Sequence, residues 1–184
     1  MARLWAPWRS KYIQSVPDEA EQRRADACIF CDYPREPADK HAQRYLLSVG
    51  EHALVILNRY PYNPGHLMVV PRAHVATPSE LGEPSFRVLA ECLRRVSWAM
   101  QQVLSPDGLN VGMNIGRAGG AGIADHCHYH VVPRWSGDTN FMPVVGETRV
   151  MSVSLEECYA QLLPAVGELV PAVEAEQRSA GGQP

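Results

Sequence analysis

Short apolar runs separated by turn residues mark the first part of the sequence. Segments 44–49, 52–57 and 66–70 are rich in aliphatic and β-branched residues, which favours strands. Gly50 and the run Asn63-Pro64-Gly65 stand between them and are typical turn residues. Because short turns join strands that are neighbours in a sheet, the pattern predicts an antiparallel meander.

A helical period replaces this pattern after residue 78. Between Ser79 and Leu104, apolar residues recur at spacings of three and four, which predicts one long amphipathic helix. Pro106, Asp107 and Gly108 end it. The apolar positions that define this helix are Phe86, Leu89, Leu93, Val96, Met100, Val103 and Leu104.

Two further strands are predicted where apolar and polar residues alternate, at 109–115 and 126–134. A second helix is predicted for 155–170. These elements define an α+β fold, an antiparallel sheet of about five strands with a long helix packed on it. The length of 184 residues suits one well-buried domain rather than two.

The ends of the chain differ in composition from this domain. Residues 1–27 combine an aromatic opening with a charged, patternless stretch, and we expect a docked N-terminal arm and a linker. The catalytic domain is then expected to span 28–172. Residues 173–184 are polar and end in glycines, so the sequence predicts a disordered tail.

Charge and hydropathy exclude two classes of partner. With 17 basic and 20 acidic residues and no long run of either sign, the chain lacks the electrostatic footprint needed to grip a nucleic acid polymer. The apolar runs are too short to span a membrane, and the start of the chain lacks the apolar stretch of a signal peptide. We therefore expect a cytoplasmic protein without a membrane partner.

The strongest chemical signal is a row of alternating histidines, His126, His128 and His130. A strand points alternate side chains to one face, so the three imidazoles are expected to share a face. The intervening residues, which suit a core, are Cys127, Tyr129 and Val131. A neutral imidazole is nucleophilic near pH 7 and a second one can donate a proton, which suits attack on phosphorus. Three metal ligands or an accidental exposed cluster are the alternatives.

A glycine-rich loop, residues 116–122, precedes the histidine row. Most glycine-rich turns are only turns, but glycine lets backbone N–H groups approach phosphate oxygens closely. Placed directly before the histidines, the loop indicates an anion cradle beside a nucleophile. The N–H groups expected to hold nonbridging oxygens belong to Gly119, Gly120 and Gly122.

The motif H-x-H-x-H followed by two apolar residues resembles the signature of the histidine triad family of nucleotide hydrolases and transferases. His126, His128, His130, Val131 and Val132 fill every position of this motif. The resemblance implies the α+β fold of that family. It also implies that His128 is the nucleophile and that His130 donates a hydrogen bond to the phosphate or to the leaving oxygen.

The resemblance extends over roughly residues 45–145. Segment 58–71 is similar to the family's first nucleotide-binding strand pair. Segment 137–142, which follows Trp135, resembles the branch that phosphorolyses diadenosine tetraphosphate. The family pattern implies that Asn58 hydrogen-bonds a ribose hydroxyl, although turn capping is the ordinary role of an amide there.

The same resemblance implies further residues of a nucleotide site. His66 is expected beneath the triad as support and is counted with the nucleotide-binding residues, as is Asn114 near the end of its strand. Trp135 is expected to stack on a base, to plug the core, or to do both. The implied assembly is a homo-oligomer, and the resemblance implies no organic cofactor.

The implied reaction is transfer of a nucleotide through a covalent nucleotidyl-histidine, with inorganic phosphate as the preferred acceptor. Water as acceptor would make the protein a dinucleoside polyphosphate hydrolase, and a purine nucleoside phosphoramidase is a further alternative. A nucleotide-binding sensor without turnover is the alternative of another class.

Five cysteines, an odd number, do not suggest a secreted disulfide scaffold. Cys28 and Cys31 form a Cys-x-x-Cys pair, which can be a metal knuckle, a redox pair or chance. Asp32 excludes a haem attachment, which needs histidine there, and Pro34 and Pro37 disfavour the helix that a redox pair opens. Two thiolates supply half of a tetrahedral zinc shell.

The other half of that shell is taken from the resemblance. Zinc-bearing relatives, including galactose-1-phosphate uridylyltransferase, pair Cys-x-x-Cys with one distant histidine and with the first histidine of the catalytic strand. The implied ligands are therefore Cys28, Cys31, His74 and His126. The metal is expected to be structural and to tie the arm to the strand that bears His128.

Overall fold

The computed structural model describes residues 28–138 and 153–181. Its centre is a five-stranded antiparallel sheet with the spatial order β1-β2-β3-β5-β4. The strands are β1 Leu46–Val49, β2 Ala53–Leu57, β3 Leu67–Pro71, β4 Gly108–Met113 and β5 Tyr129–Arg134. The predicted fold class, including the meander of the first three strands, is confirmed.

Four α-helices accompany the sheet in the described ranges. Their bounds are α1 Ile29–Asp32, α2 Glu83–Leu104, α3 Leu155–Val166 and α4 Leu169–Gly181. The long helix α2 starts later than predicted, because a separate 3₁₀ turn, Pro78–Glu80, precedes it. It ends where Ser105 adopts a left-handed conformation with φ of 45°.

The sheet buries both of its faces, which explains why β2 is apolar at every position. Ala53, Val55 and Leu57 pack toward the helices α2, α3 and α4. Leu54 and Ile56 point to the opposite face, where Phe30 of α1 covers them. A strand buried on two sides has no polar alternate positions.

The fifth strand enters the sheet between β3 and β4, so its residues lie near the centre and not at an edge. His130 pairs with Met68 on one side and with Gly112 on the other. Its neighbour Val131 packs into the helix-side core, which places His130 on the face opposite α2.

The predicted strand 126–134 is shorter in the structure, where pairing begins at Tyr129. Only His130 of the three histidines therefore lies on β5 itself. His126 and His128 lie in the segment that leads into the strand. Outside the strand, other hydrogen bonds hold the main chain of this segment, such as the one from the N–H of Cys127 to the carbonyl of Val75 at 2.7 Å. The side chains of His126 and His128 therefore keep their alternating arrangement.

The prediction of a disordered tail from residue 173 is wrong for its larger part, because α4 continues to Gly181. Val173 is 1% exposed and packs in the core. The predicted helix 155–170 is likewise two helices, since α3 ends at Val166. The polar composition was misleading because one apolar face is enough to fix a helix on a core.

Glu174 ties α4 to the β1–β2 turn. Its carboxylate accepts hydrogen bonds from the N–H of Glu51 at 3.0 Å and of His52 at 2.7 Å. Gly50 stands where a Cβ atom would collide with this carboxylate and with Val170. Glycine is thus required at this turn by close packing.

The remaining predictions about chain organisation fall outside the described residues. These are the N-terminal arm and linker, 1–27, and the end of the chain from 182. Within 28–138 and 153–181, none of the helices combines the length and the apolar character needed to cross a bilayer.

We predict that Glu174→Ala lowers the free energy of unfolding by about 1–3 kcal/mol, because two partly buried N–H groups lose their acceptor. Glu176→Ala is the matched control on the same helix. It removes only an exposed ion pair with Arg95, which solvent screens, and should cost clearly less than Glu174→Ala. Urea unfolding measures both, and equal losses would mean that α4 does not clamp the turn.

Candidate active site and metal centre

The rings of His128 and His130 form a row, and Phe30 contacts both the His126 ring and the His128 ring. The ring centroids of His128 and His130 are 4.8 Å apart, and Phe30 lies 5.3 Å from the His126 ring and 5.0 Å from the His128 ring. The row continues to His66, whose ring centroid is 5.1 Å from that of His130. The expectation that the imidazoles share a face therefore agrees with their positions.

His128 presents one nitrogen for chemistry. Its Nδ1 donates a hydrogen bond to the carbonyl of His126 at 2.9 Å, and a carbonyl can only accept. In the neutral ring, Nε2 therefore carries the lone pair. Within the described ranges, every side-chain nitrogen that is fully buried has a hydrogen-bond partner. Nε2 of His128 has no hydrogen-bond partner among these residues, so this atom is not fully buried and reaches the surface.

Burial keeps His128 neutral. The side chain is only 4% exposed, and desolvation lowers the pKa of His128 below its ordinary value. The hydrogen bond to His126 acts in the opposite direction but is the smaller effect. A lone pair on Nε2 is thus available at neutral pH, as a nucleophile requires.

The tautomer of His130 is set through His66. The N–H of Tyr62 donates to Nδ1 of His66 at 3.1 Å, and because a backbone N–H can only donate, this nitrogen is unprotonated. In the neutral His66 ring, Nε2 then carries the proton and donates to Nδ1 of His130 at 3.0 Å. The proton of a neutral His130 is consequently on Nε2.

His130 is also held neutral. Burial, followed by the nearby His128, lowers the pKa of His130 to about 4. A neutral ring with its proton on Nε2 is a hydrogen-bond donor that carries no charge. It stands beside the Nε2 lone pair of His128, so the row places a nucleophile and a donor next to each other.

His66 is fully buried. Its bond to His130 fits a role as support beneath the triad, and its direct part in nucleotide binding stays a prediction. Asn58 caps a turn, with Oδ1 accepting from the N–H of Tyr60 at 2.9 Å. Its Nδ2 lies 3.4 Å from Nδ1 of His66. Turn capping is thus the role of Asn58 in the free protein.

The glycine loop differs from the predicted phosphate cradle. The N–H of Gly119 donates to the carbonyl of Gly116 at 3.1 Å, and that of Gly120 to Arg117 at 3.0 Å. These two N–H groups close a turn and do not point to a free anion site. Gly122 makes no such bond in the turn, and its role as a phosphate ligand stays a prediction.

Two predicted residues flank the site without a decisive contact. Asn114 follows β4 and donates from Nδ2 to the carbonyl of Gly120 at 3.4 Å, which ties it to the glycine loop. Trp135 directly follows β5 and is partly buried. Its main-chain N–H donates to the carboxylate of Asp138 at 3.2 Å. Base stacking by Trp135 stays a prediction.

Sequence reasoning missed three residues of the site. Phe30 packs against His126 and His128, and Tyr62 stacks on His66 with ring centroids 4.8 Å apart. Asp138 accepts a hydrogen bond from the main-chain N–H of Trp135 and so holds the chain after β5. The aromatic character of Phe30 between two cysteines was a usable signal. Asp138 lies in segment 137–142, whose resemblance to the family was a usable signal, but no local pattern pointed to its partner Asn63, which is distant in sequence.

A second cluster shares His126 with the triad. The four residues predicted as metal ligands, Cys28, Cys31, His74 and His126, place one ligand atom each within 4.8 Å of one another. Nδ1 of His126 is 3.3 Å from Sγ of Cys28, and Nδ1 of His74 is 3.3 Å from Sγ of Cys31. Zn–S and Zn–N bonds of about 2.3 and 2.0 Å give tetrahedral edges of about 3.5 Å.

The chemistry of these donors also fits zinc. Nε2 of His126 donates to the carbonyl of Pro71 at 2.8 Å, so in the neutral ring the lone pair is on Nδ1, toward the cysteines. Burial lowers the pKa of His126, which keeps the ring neutral. Burial and the adjacent Cys28 raise the pKa of Cys31 to about 11, and a divalent cation would offset the repulsion between two thiolates.

Comparison with known proteins agrees with the sheet and with the histidine row. The HIT domain family model matches residues 41–137, which is more than half of the chain. The chain belongs to the HIT domain family.

Among characterised relatives is the AP-4-A phosphorylase of Mycobacterium tuberculosis, 33% identical over 157 residues that cover 85% of this chain and 80% of the relative. The adenosine 5'-monophosphoramidase of Schizosaccharomyces pombe is 30% identical over 110 residues, or 59% of this chain and 74% of the relative. A zinc-bound histidine triad family protein of Mycobacterium smegmatis has a similar structure, with a TM-score of 0.57 and 25% identity over 84% of this chain and 97% of that one.

We predict that the purified protein carries about one zinc ion per chain and that Cys31→Ser or His74→Ala lowers this content several-fold, because each removes one of four ligands. Inductively coupled plasma mass spectrometry after dialysis against a weak chelator measures the content. His52→Ala is the matched control, since His52 bonds Ser85 away from the cluster. Equal zinc in all four proteins would refute this metal centre.

Proposed function

We propose that this protein is a nucleotidyl transferase that cleaves diadenosine tetraphosphate or related nucleoside polyphosphates and uses inorganic phosphate as its preferred acceptor. The observation that carries the proposal is the orientation of His128. Its Nδ1 is bound to a main-chain carbonyl, and its Nε2 reaches the surface with a lone pair. Membership of the HIT family and the similarity to a protein named AP-4-A phosphorylase support the nucleotide-processing class.

In the first step, Nε2 of His128 attacks the α-phosphorus of the polyphosphate. The N–P bond forms as the bond from that phosphorus to the bridging oxygen breaks, and ATP leaves from diadenosine tetraphosphate. The proton on Nε2 of His130 lies beside the reacting centre and hydrogen-bonds the phosphate or the leaving oxygen. Covalent catalysis thereby divides one difficult displacement into two easier ones.

In the second step, an acceptor attacks the phosphorus of the nucleotidyl-histidine and regenerates His128. Inorganic phosphate gives ADP, whereas water gives AMP. The preference for phosphate rests on the similarity to the AP-4-A phosphorylase and on the segment that follows Trp135. Residues 139–142 of that segment lie outside the described residues.

The metal centre has a structural part in this proposal. Cys28, Cys31, His74 and His126 would hold zinc and would thereby join the α1 segment to the chain entering β5. The carbonyl of His126 is also the acceptor for Nδ1 of His128. A fixed His126 therefore fixes the direction in which the nucleophile points.

A phosphoramidase is the second candidate, and it is favoured by the similarity to the Schizosaccharomyces pombe enzyme. The same covalent intermediate serves both reactions, and they differ in the leaving group. A nucleotide sensor without turnover is less well supported, because binding alone does not require an oriented lone pair on His128.

We expect His128→Ala to lower kcat for diadenosine tetraphosphate by at least about 10³-fold, because the covalent route is lost. Chromatography of the products in the presence and absence of phosphate identifies the acceptor. ADP with ATP indicates phosphorolysis, and AMP with ATP indicates hydrolysis. An adenosine phosphoramidate assayed in parallel tests the second candidate.

The control for this experiment is His41→Gln, which changes a histidine bonded to the carbonyl of Glu36, outside the triad. It should keep the wild-type rate. Substantial activity in His128→Ala would eliminate the covalent mechanism. Binding of the nucleotide without any product from the wild-type protein would favour the sensor.

The proposal includes a homo-oligomer formed through β4, which is an edge strand of the sheet among residues 28–138 and 153–181. Strand β4 is the last strand in the order, and Val111 on it is 47% exposed. Exposed edges with apolar side chains favour pairing with a second copy. Light scattering during size-exclusion chromatography should give at least twice the chain mass of 20.4 kDa.

Val111→Lys places a charge on that edge and should shift the protein toward the monomer. Leu163→Lys changes another exposed apolar residue, on α3, and should leave the mass unchanged. A monomeric wild-type protein, or equal behaviour of the two variants, would rule out this interface.

A further inference from the structure

A group of polar residues outside the histidine row connects the end of β5 to the turn that bears His66. We define this turn as residues 58–66. The central residue of the polar group is Asp138, which follows β5 and is not part of the H-x-H-x-H motif.

Asp138 is the acceptor on which this group converges. Its carboxylate accepts from Nε of Arg134 at 2.6 Å and from Nη2 of Arg134 at 2.7 Å. It also accepts from the side-chain amide of Asn63 at 2.6 Å. Arg134 holds the pKa of Asp138 well below its usual range, so the carboxylate stays charged.

Asn63 is fixed from two sides. Its side-chain amide donates both to Asp138 and to the carbonyl of Pro133 at 2.9 Å, so it attaches the 58–66 turn to the end of β5. The carbonyl of Asn63 accepts from the N–H of His66 at 3.1 Å. Gly65, with φ of 80°, closes this turn against Leu104, where a side chain would collide.

The geometry of the 58–66 turn determines which ring nitrogen of His66 carries the proton. The N–H of Tyr62, next to Asn63, donates to Nδ1 of His66 at 3.1 Å, and the side-chain amide of Asn58 in the same turn lies 3.4 Å from that atom, so both donors keep Nδ1 unprotonated. His66 then donates from Nε2 to His130. If the turn moved and Nδ1 of His66 lost these two donors, it could take the proton, and His130 would have to donate from Nδ1 instead.

We propose that Asp138 is a positioning residue which, through Asn63 and the 58–66 turn, keeps the proton of His130 on Nε2. The consequence for turnover rests on the proposed function, in which Nε2–H of His130 faces the reacting phosphate. The tautomer itself does not depend on that function and can be measured in the protein alone.

The test is long-range ¹H–¹⁵N NMR of protein labelled with ¹⁵N-histidine, recorded without substrate at a pH where the rings are neutral. The chain has seven histidines, and the signals of His130 and His66 are assigned by their loss in His130→Gln and His66→Gln. The wild type should show both rings protonated at Nε2. Asp138→Asn should add a clear Nδ1–H population at both, because an amide places a donor toward Arg134 or Asn63.

Asn63→Ala is the second variant. It removes the link to the turn but leaves the pair of Asp138 with Arg134, so it should reproduce the change in tautomer. Glu36→Gln is the matched control, because Glu36 forms a similar carboxylate pair with Arg44 away from the site. It should leave both rings as in the wild type.

Unchanged tautomers in Asn63→Ala, with that variant folded, would overturn the inference, as would an equal change in Glu36→Gln. Kinetics give the second readout: Asp138→Asn should lower kcat about ten-fold or more and change KM less than about three-fold, since it acts on a donor and not on a binding contact. An inactive wild type would refute the proposed function and leave the NMR result to decide the inference.

Discussion

Main-chain groups fix the proton position on His126, His128 and His66, and His66 passes this constraint on to His130. The carbonyl of Pro71 accepts from His126, the carbonyl of His126 accepts from His128, and the N–H of Tyr62 donates to His66. A carbonyl oxygen cannot donate and a backbone N–H cannot accept, so each of these rings, when neutral, has one possible tautomer. This constraint places the lone pair of His126 on Nδ1, toward the cysteines, and the lone pair of His128 on Nε2. It also places the proton of His130 on Nε2.

These main-chain groups belong to Pro71, His126 and Tyr62. The histidine row lies on the face of the sheet opposite α2, α3 and α4. Helices α2, α3 and α4 cover one face, and α1 with Phe30 covers part of the other. His126 joins the two halves of the site, since its ring faces the cysteines and its carbonyl holds His128. The metal centre and the nucleophile are therefore positioned by opposite ends of one residue.

Burial decides the charge of the row. Desolvation is the largest cause of the lowered pKa at His126, His128 and His130, and it outweighs the main-chain hydrogen bonds that favour the charged form at the first two. Neutral rings are what a metal ligand and a nucleophile require. The same burial makes orientation essential, because a buried ring that is turned the wrong way cannot exchange its hydrogen bonds with water.

Periodicity and motif spacing by themselves determined the meander, the long helix, the alternation of the histidines and the Cys28–Cys31 pair, because each depends on which face of a local element is buried or on a short fixed spacing. The resemblance to a known family added His74 and His126 as the other two candidate ligands. The tertiary structure alone decided the place of β5 between β3 and β4, the helix formed by residues 169–181, the turn that occupies the N–H groups of Gly119 and Gly120, and the tautomers of the row. Those features depend on which polar group meets which partner across long separations in sequence, and a local pattern carries no information about that partner.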